Sequence, residues 1–162
     1  MSYFVFVLPE ACEAKDVEVR EVPEKVIPYE KWRTLPGFKD PDTTIGIVSF
    51  GKNWRHTVLL DDNGLVNDTN PKPTLFVNGH IICGPLAITT STDDGDSIGF
   101  TADQVEKLLP MITDNLLGQY NLPTPEPYME ATPFDSFDDI ANKTYVQGEL
   151  NRLYNKNNWG DL

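Results

Sequence analysis

The sequence is short of the residues on which many active sites depend. Among its 162 residues there are only two cysteines and two histidines. Cys12 and Cys83 are too few to form a disulfide framework, and we expect both to be free thiols. No Gly-x-Ser-x-Gly turn and no His-Glu-x-x-His helix is present. The sequence therefore nominates no catalytic residue, although paired carboxylates stay open because acidic residues are abundant.

Metal-binding patterns are also missing. His80 and Cys83 stand three positions apart in a predicted strand, where successive side chains alternate between faces, so they would point to opposite sides. The acidic turn at residues 93–96 (DDGD) does not have the ligand spacing of an EF-hand calcium loop. We interpret it as a solvated chain reversal, and we expect no metal and no cofactor.

Positive charge is scarce, because 13 lysines and arginines face 25 acidic residues and the net charge is −12. Binding to nucleic acid or to anionic lipid needs clustered basic side chains, so we expect neither. The acidity favours solubility. A sharper alternative is attraction to a basic partner, including imitation of nucleic acid.

Long apolar runs are absent as well. No stretch of about 18 consecutive apolar residues could span a membrane. The apolar run at residues 3–8 has no basic residue ahead of it and ends at Pro9, so we expect no signal peptide. These features predict a cytoplasmic protein.

What is present indicates an α+β domain built on an antiparallel β-meander. Residues 3–8 are aromatic and β-branched, residues 16–22 alternate between valine and charged side chains, and the two should pair as a hairpin. A short helix is predicted at residues 28–35, ended by Pro36-Gly37. Asn78-Gly79 between two apolar runs is a strong hairpin signal. The further predicted strands are residues 45–50, 56–60, 74–77, 80–83, 86–90 and 97–100.

Helical spacing begins at Thr101, which forms a capping-box pattern with Gln104. Pro110 should kink or split this helix, and Gly118 is a candidate stop. A proline-rich stretch follows, and a last helix is predicted from about residue 135 or 136 to residue 154. We thus predict an α+β domain at residues 1–120, a linker at residues 121–134 and a helical tail at residues 135–162.

Residues 46–53 (GIVSFGKN) match the spacing of a phosphate-binding loop except at the last position. Such a loop needs a helix that begins at the lysine, whose amides help to bind the anion. Here the four intervening residues are typical of a strand, and no helix-start signal follows. We therefore predict a strand and a turn.

The same turn carries a compact cationic and aromatic cluster: Lys52, Trp54, Arg55 and His56. Tryptophan and arginine are enriched in binding hot spots, so these four are the candidate binding residues. The alternative is a loop whose tryptophan covers the sheet edge. A second candidate surface is the acidic C-terminal segment, unless its helix packs back on the domain.

Several motifs occur in an order that resembles a small domain-of-unknown-function family of phages, plasmids and integrated elements. They are DVEVREV at 16–22, LPG at 35–37, DDNG at 61–64, Asn70, GHIICGP at 79–85 and FTADQVEKL at 100–108. The resemblance covers roughly residues 3–109 and leaves the tail outside. It implies an α+β fold and an accessory role in a mobile element, and it brings no catalytic residues.

These observations lead to a functional expectation. The chain is expected to be a non-enzymatic accessory protein of a phage or mobile element that binds a host protein, such as a defence component, as an inhibitor or acidic mimic. An alternative is a binding protein that sequesters a nucleotide or other small molecule, with Lys52 and Arg55 on its phosphate. An enzyme that uses carboxylates ranks third.

Overall fold

A computed structural model describes residues 1–36, 38, 45–61, 72–120 and 132–162. These residues form an α+β fold, which confirms the predicted fold class. The strands are β1 (Ser2–Val7), β2 (Glu18–Val22), β3 (Ile45–Phe50), β4 (His56–Asp61), β5 (Pro73–Val77), β6 (His80–Cys83), β7 (Leu86–Ser91) and β8 (Ser97–Ile98). The helices are α1 (Tyr29–Trp32), α2 (Ala102–Asp114) and α3 (Phe137–Lys156), with single 3-10 turns between several elements.

The main sheet is antiparallel, with strand order β2-β1-β7-β4-β3. β8 pairs with the last two residues of β7. The first two strands form the predicted hairpin pair, with Ser2 opposite Val22. β1 lies between β2 and β7, and its last four side chains, which alternate between the two faces of the sheet, are all buried. Phe4 and Phe6 belong to one core cluster, and Val5 and Val7 belong to the other.

The strands do not follow one another across the sheet in chain order. β7 lies between β1 and β4, while β5 and β6 form a separate two-stranded sheet. This hairpin turns at Asn78 and Gly79, which have φ of 48° and 86°, as the Asn-Gly signal predicts. Every residue of β5 is buried, so both faces of this strand are covered.

One face of the main sheet is covered by the segment around α1. Trp32 packs edge-on against Phe4 with ring centroids 5.3 Å apart, and Leu35 and Phe38 complete this cluster. The helix has only four residues, shorter than the predicted residues 28–35. Pro28 is its N-cap instead of its first helical residue. Burial of the large apolar side chains, more than helical hydrogen bonding, holds this segment in place.

The other face is covered by α2. Its capping box is present, since the Thr101 amide donates to Gln104 Oε1 at 2.8 Å and the Gln104 amide donates to Thr101 Oγ1 at 3.2 Å. Pro110 does not split the helix, which continues to Asp114 and ends before Gly118. The buried stripe of α2 consists of Val105, Leu108 and Ile112.

The C-terminal segment packs on the outer side of the β5–β6 hairpin. Ser136 caps α3 by accepting from the Asp139 amide at 3.2 Å, as the predicted start requires. The buried side chains of α3 meet Phe76 and Leu117; they are Val146, Leu150 and Leu153. Beyond α3, Trp159 enters the core between sheet and α2.

Three sequence features lie outside the described residues. They are most of the DDNG turn at 61–64, Asn70 and most of the proline-rich linker at 121–134. Within the ranges that the structure describes, no helix combines the length and apolar character needed to cross a membrane.

Candidate functional site

The turn after β3 is not a phosphate-binding loop. Residues 45–50 are a strand, and the residues after Gly51 form a single 3-10 turn, Lys52–Trp54, instead of a helix. This confirms the prediction of a strand and a turn. Gly51, Asn53 and Trp54 have φ of 84°, 59° and 55°. Left-handed backbone is costly for a bulky residue, so Trp54 is held in a strained conformation.

Trp54 is exposed despite this strain. Its relative exposure is 67%, against 2% for Trp32 and 3% for Trp159. The alternative interpretation, in which this tryptophan covers the sheet edge, does not account for an indole that is mostly in solvent. Because little of the indole is buried, the free energy gained from its burial does not offset the local backbone strain.

Arg55 is positioned by the acidic turn that follows β7. Its guanidinium donates to Asp93. Its main-chain oxygen accepts from the hydroxyl of Ser91 at 2.9 Å. The turn at residues 93–96 thus holds an arginine, and no group of three potential metal ligands occurs among the residues that the structure describes.

His56, which we predicted as a binding residue, lies inside the protein with a relative exposure of 6%. Nε2 is 2.8 Å from the main-chain oxygen of Leu162, and Nδ1 is 2.9 Å from Thr90 Oγ1. A carbonyl oxygen only accepts, so Nε2 carries the proton, and in the neutral ring Nδ1 accepts from the threonine hydroxyl. Phe50 and Phe100 flank the ring at 5.3 and 5.2 Å. His56 thus joins the sheet to the C-terminal segment.

Gly51 makes room for this histidine. A Cβ atom at Gly51 would lie 2.4 Å from His56 Cδ2. Its ψ of −178° with φ of 84° is a conformation almost restricted to glycine. The turn and the buried ring are therefore one structural unit.

A cleft opens beside this turn, toward the beginning of α2. Its outer part has a volume of about 510 Å³, and an adjoining inner part has about 270 Å³. Lys52, His56 and Gln104 line both parts, together with the end of the chain at Leu162. Arg55 lines the outer part, and Lys107 lines the inner part. Sequence reasoning missed Lys107, Gln104 and Leu162, because only the capping box hinted at where α2 would begin.

The other residues considered as chemical groups lie apart from this cleft. His80 is exposed and Cys83 is buried, consistent with the prediction that they face opposite sides. Burial raises the pKa of the Cys83 thiol to about 11, which leaves it protonated near neutral pH. Cys12 is exposed, and its thiol donates to the main-chain oxygen of Glu10 at 3.2 Å.

The fold and the site together define an α+β protein with an exposed tryptophan turn beside a partly basic cleft. No protein-family model matches the chain. Searches of curated proteins and of solved structures likewise find no match. The resemblance to a mobile-element family stays a prediction from the motifs.

Proposed function

We propose that the chain is a non-enzymatic accessory protein of a phage or mobile element, and that it binds a host protein in the bacterial cytoplasm. The contact is made by the turn at residues 52–55, with Trp54 as its centre. The observation that carries this proposal is the exposed indole of Trp54 on strained, left-handed backbone. The mobile-element context rests on the family resemblance.

Strain at an exposed residue points to binding. Left-handed backbone at a bulky residue costs about 1–3 kcal/mol. An indole in solvent recovers little of this cost in the free protein. A partner that buries the ring would recover it, and tryptophan and arginine are the residues that most often dominate interface energies. Arg55, next in the chain, is already oriented by Asp93.

Charge suggests the chemistry of the partner. With a net charge of −12, the protein attracts a basic protein over long range and increases the rate of encounter. A host protein that binds nucleic acid has such a surface. This supports an inhibitor or acidic mimic, such as one directed at a defence component.

The test begins with capture from a bacterial lysate, followed by purification of the complex and measurement of its affinity. Trp54→Ala should weaken the complex at least thirtyfold, which corresponds to a hot spot of about 2 kcal/mol. Tyr29→Ala is the matched control, because Tyr29 is also an exposed aromatic residue but lies on α1.

A second readout does not depend on mutation. Trp32 and Trp159 are buried, so collisional quenching by acrylamide reports on Trp54. A partner bound at the turn should protect Trp54 from quenching. A stable complex that survives Trp54→Ala and leaves Trp54 quenchable would disprove this assignment of the surface.

A further inference from the structure

The cleft beside the tryptophan turn has the dimensions of a small-molecule site. Its walls come from the 3-10 turn at Lys52, the first turns of α2 and the C-terminal residues Asp161 and Leu162. The outer part, about 510 Å³, falls within the range typical of ligand pockets. Lys52, Asn53 and Arg55 of the tryptophan turn line the cleft, but Trp54 does not, so Trp54 can be used to test the protein-binding surface separately from the cleft.

Basic side chains in the described part of the chain are mostly used in ion pairs, as expected for an acidic protein. The paired ones are Lys15, Arg20, Lys31, Arg55, Lys72, Lys143, Arg152 and Lys156. Lys52 and Lys107 have no ion-pair partner among the described residues, and both line the inner part of the cleft. Two uncompensated lysines in one cleft indicate a site for an anion.

The start of α2 adds donors to the same place. Gln104 lines both parts of the cleft, and its Oε1 is held by the Thr101 amide at 2.8 Å. This hydrogen bond orients the side chain and leaves its NH₂ group to donate to a ligand. The positive end of the helix dipole lies here as well. Asp161 also lines the inner part, so the cleft carries one acidic side chain beside its two lysines.

We propose that this cleft binds a phosphate-bearing small molecule, with the phosphate held by Lys52, Lys107 and the Gln104 amide. The ligand is bound and not turned over. The one histidine in the walls, His56, has both ring nitrogens engaged, with Thr90 and Leu162, and is not available as a general base. The site would therefore sequester or sense its ligand.

The experiment uses the full chain and four probes without divalent cations: inorganic phosphate, AMP, ATP and adenosine. Thermal unfolding and calorimetric titration measure binding, since a ligand of the native state raises its stability. We expect the phosphate-bearing probes to bind and adenosine not to bind. Tight binding of AMP or ATP with weak binding of inorganic phosphate identifies a nucleotide-sized ligand, and equal binding of all three identifies the phosphate group alone.

Matched lysine variants locate the site. Lys107→Gln and Lys52→Gln should each weaken binding about tenfold, the loss expected for one charge-assisted hydrogen bond. Lys25→Gln is the control, because Lys25 is exposed and does not line the cleft. Failure of all three phosphate-bearing probes to bind, or equal weakening by Lys25→Gln, would overturn the proposal.

The two proposals fail independently. Trp54→Ala should weaken binding of the host protein at least thirtyfold and leave phosphate binding intact. Lys107→Gln should weaken phosphate binding about tenfold and leave binding of the host protein intact, because Lys107 lies outside the turn at residues 52–55. Loss of phosphate binding in Trp54→Ala, with the fold intact, would contradict the separation of cleft and protein-binding surface.

Discussion

Gly51→Ala tests whether the tryptophan turn and the buried histidine form one structural unit. The new Cβ atom would lie 2.4 Å from His56 Cδ2 and 3.1 Å from its Nε2. The backbone at Gly51, with φ of 84° and ψ of −178°, also disfavours any side chain. The substitution therefore imposes both conformational strain and a collision with a ring that is held by hydrogen bonds to Thr90 and Leu162.

The expected loss of unfolding free energy follows from these two effects. The backbone conformation costs about 1–3 kcal/mol for a residue other than glycine. Movement of His56 breaks its bonds to Thr90 and Leu162, each of which contributes about 0.5–1.5 kcal/mol. Together they give a loss of about 2–6 kcal/mol. Urea unfolding followed by circular dichroism measures it.

Gly95→Ala is the matched control. Gly95 has a similar φ of 87°, but no heavy atom lies within 4 Å of a Cβ built there. This variant should lose only the conformational part, about 1–2 kcal/mol. Equal losses for Gly51→Ala and Gly95→Ala would refute the argument that His56 is packed against the turn.

Three further predictions concern the core, the C-terminal helix and the thiols. Trp159→Ala should lower the unfolding free energy by about 3–5 kcal/mol, because it leaves a cavity in the core. Trp54 is exposed, so Trp54→Ala should change the unfolding free energy by less than about 0.5 kcal/mol. Urea unfolding of the two variants measures the difference. The amide of Thr132 and the ammonium of buried Lys143 hold the pKa of Asp135 below its usual 3.8. The stability that the Asp135 carboxylate contributes is therefore present above pH 3.8 and is lost as the pH falls through the lowered pKa. Asp135→Asn should therefore expose α3 to faster hydrogen exchange at neutral pH and reduce the acid sensitivity of that helix. Cys83 should resist thiol reagents in the folded protein and react after unfolding, as read by mass spectrometry.

Each of these predictions has a contrary outcome. Similar stability of the two tryptophan variants would mean that the C-terminal residues do not pack into the core. Unchanged exchange in Asp135→Asn would mean that its pairing with Lys143 does not hold α3. Rapid modification of Cys83 in the native protein would contradict its burial.

Much of the local structure could be predicted from short-range patterns. Aromatic and β-branched composition identified β1, alternation identified β2, Asn78-Gly79 identified the hairpin turn, and the Thr101–Gln104 pair identified the start of α2. The same patterns did not predict where the strands would lie in the sheet. β7 pairs with β1 and β4, and these pairings join residues that are distant in sequence, which short-range patterns do not report.

The candidate site was predicted in part. Lys52, Trp54 and Arg55 lie at the surface of one turn, as their proximity in sequence requires. His56 is adjacent in sequence but buried, because alternation along β4 and the left-handed turn direct it inward. Lys107 and Leu162 were missed, since no local pattern links them to residue 52.

By itself the sequence determined the kinds of local element, because backbone preferences, turn geometry and capping act over a few residues. It also determined the acidic charge and the shortage of residues for common chemistries. Only the tertiary structure decided that Leu162 would meet His56 across 106 positions of chain and that two lysines would face one cleft. Such contacts depend on how segments that are distant in sequence pack together in the core. Close packing is a property of the whole chain, so short sequence patterns do not determine it.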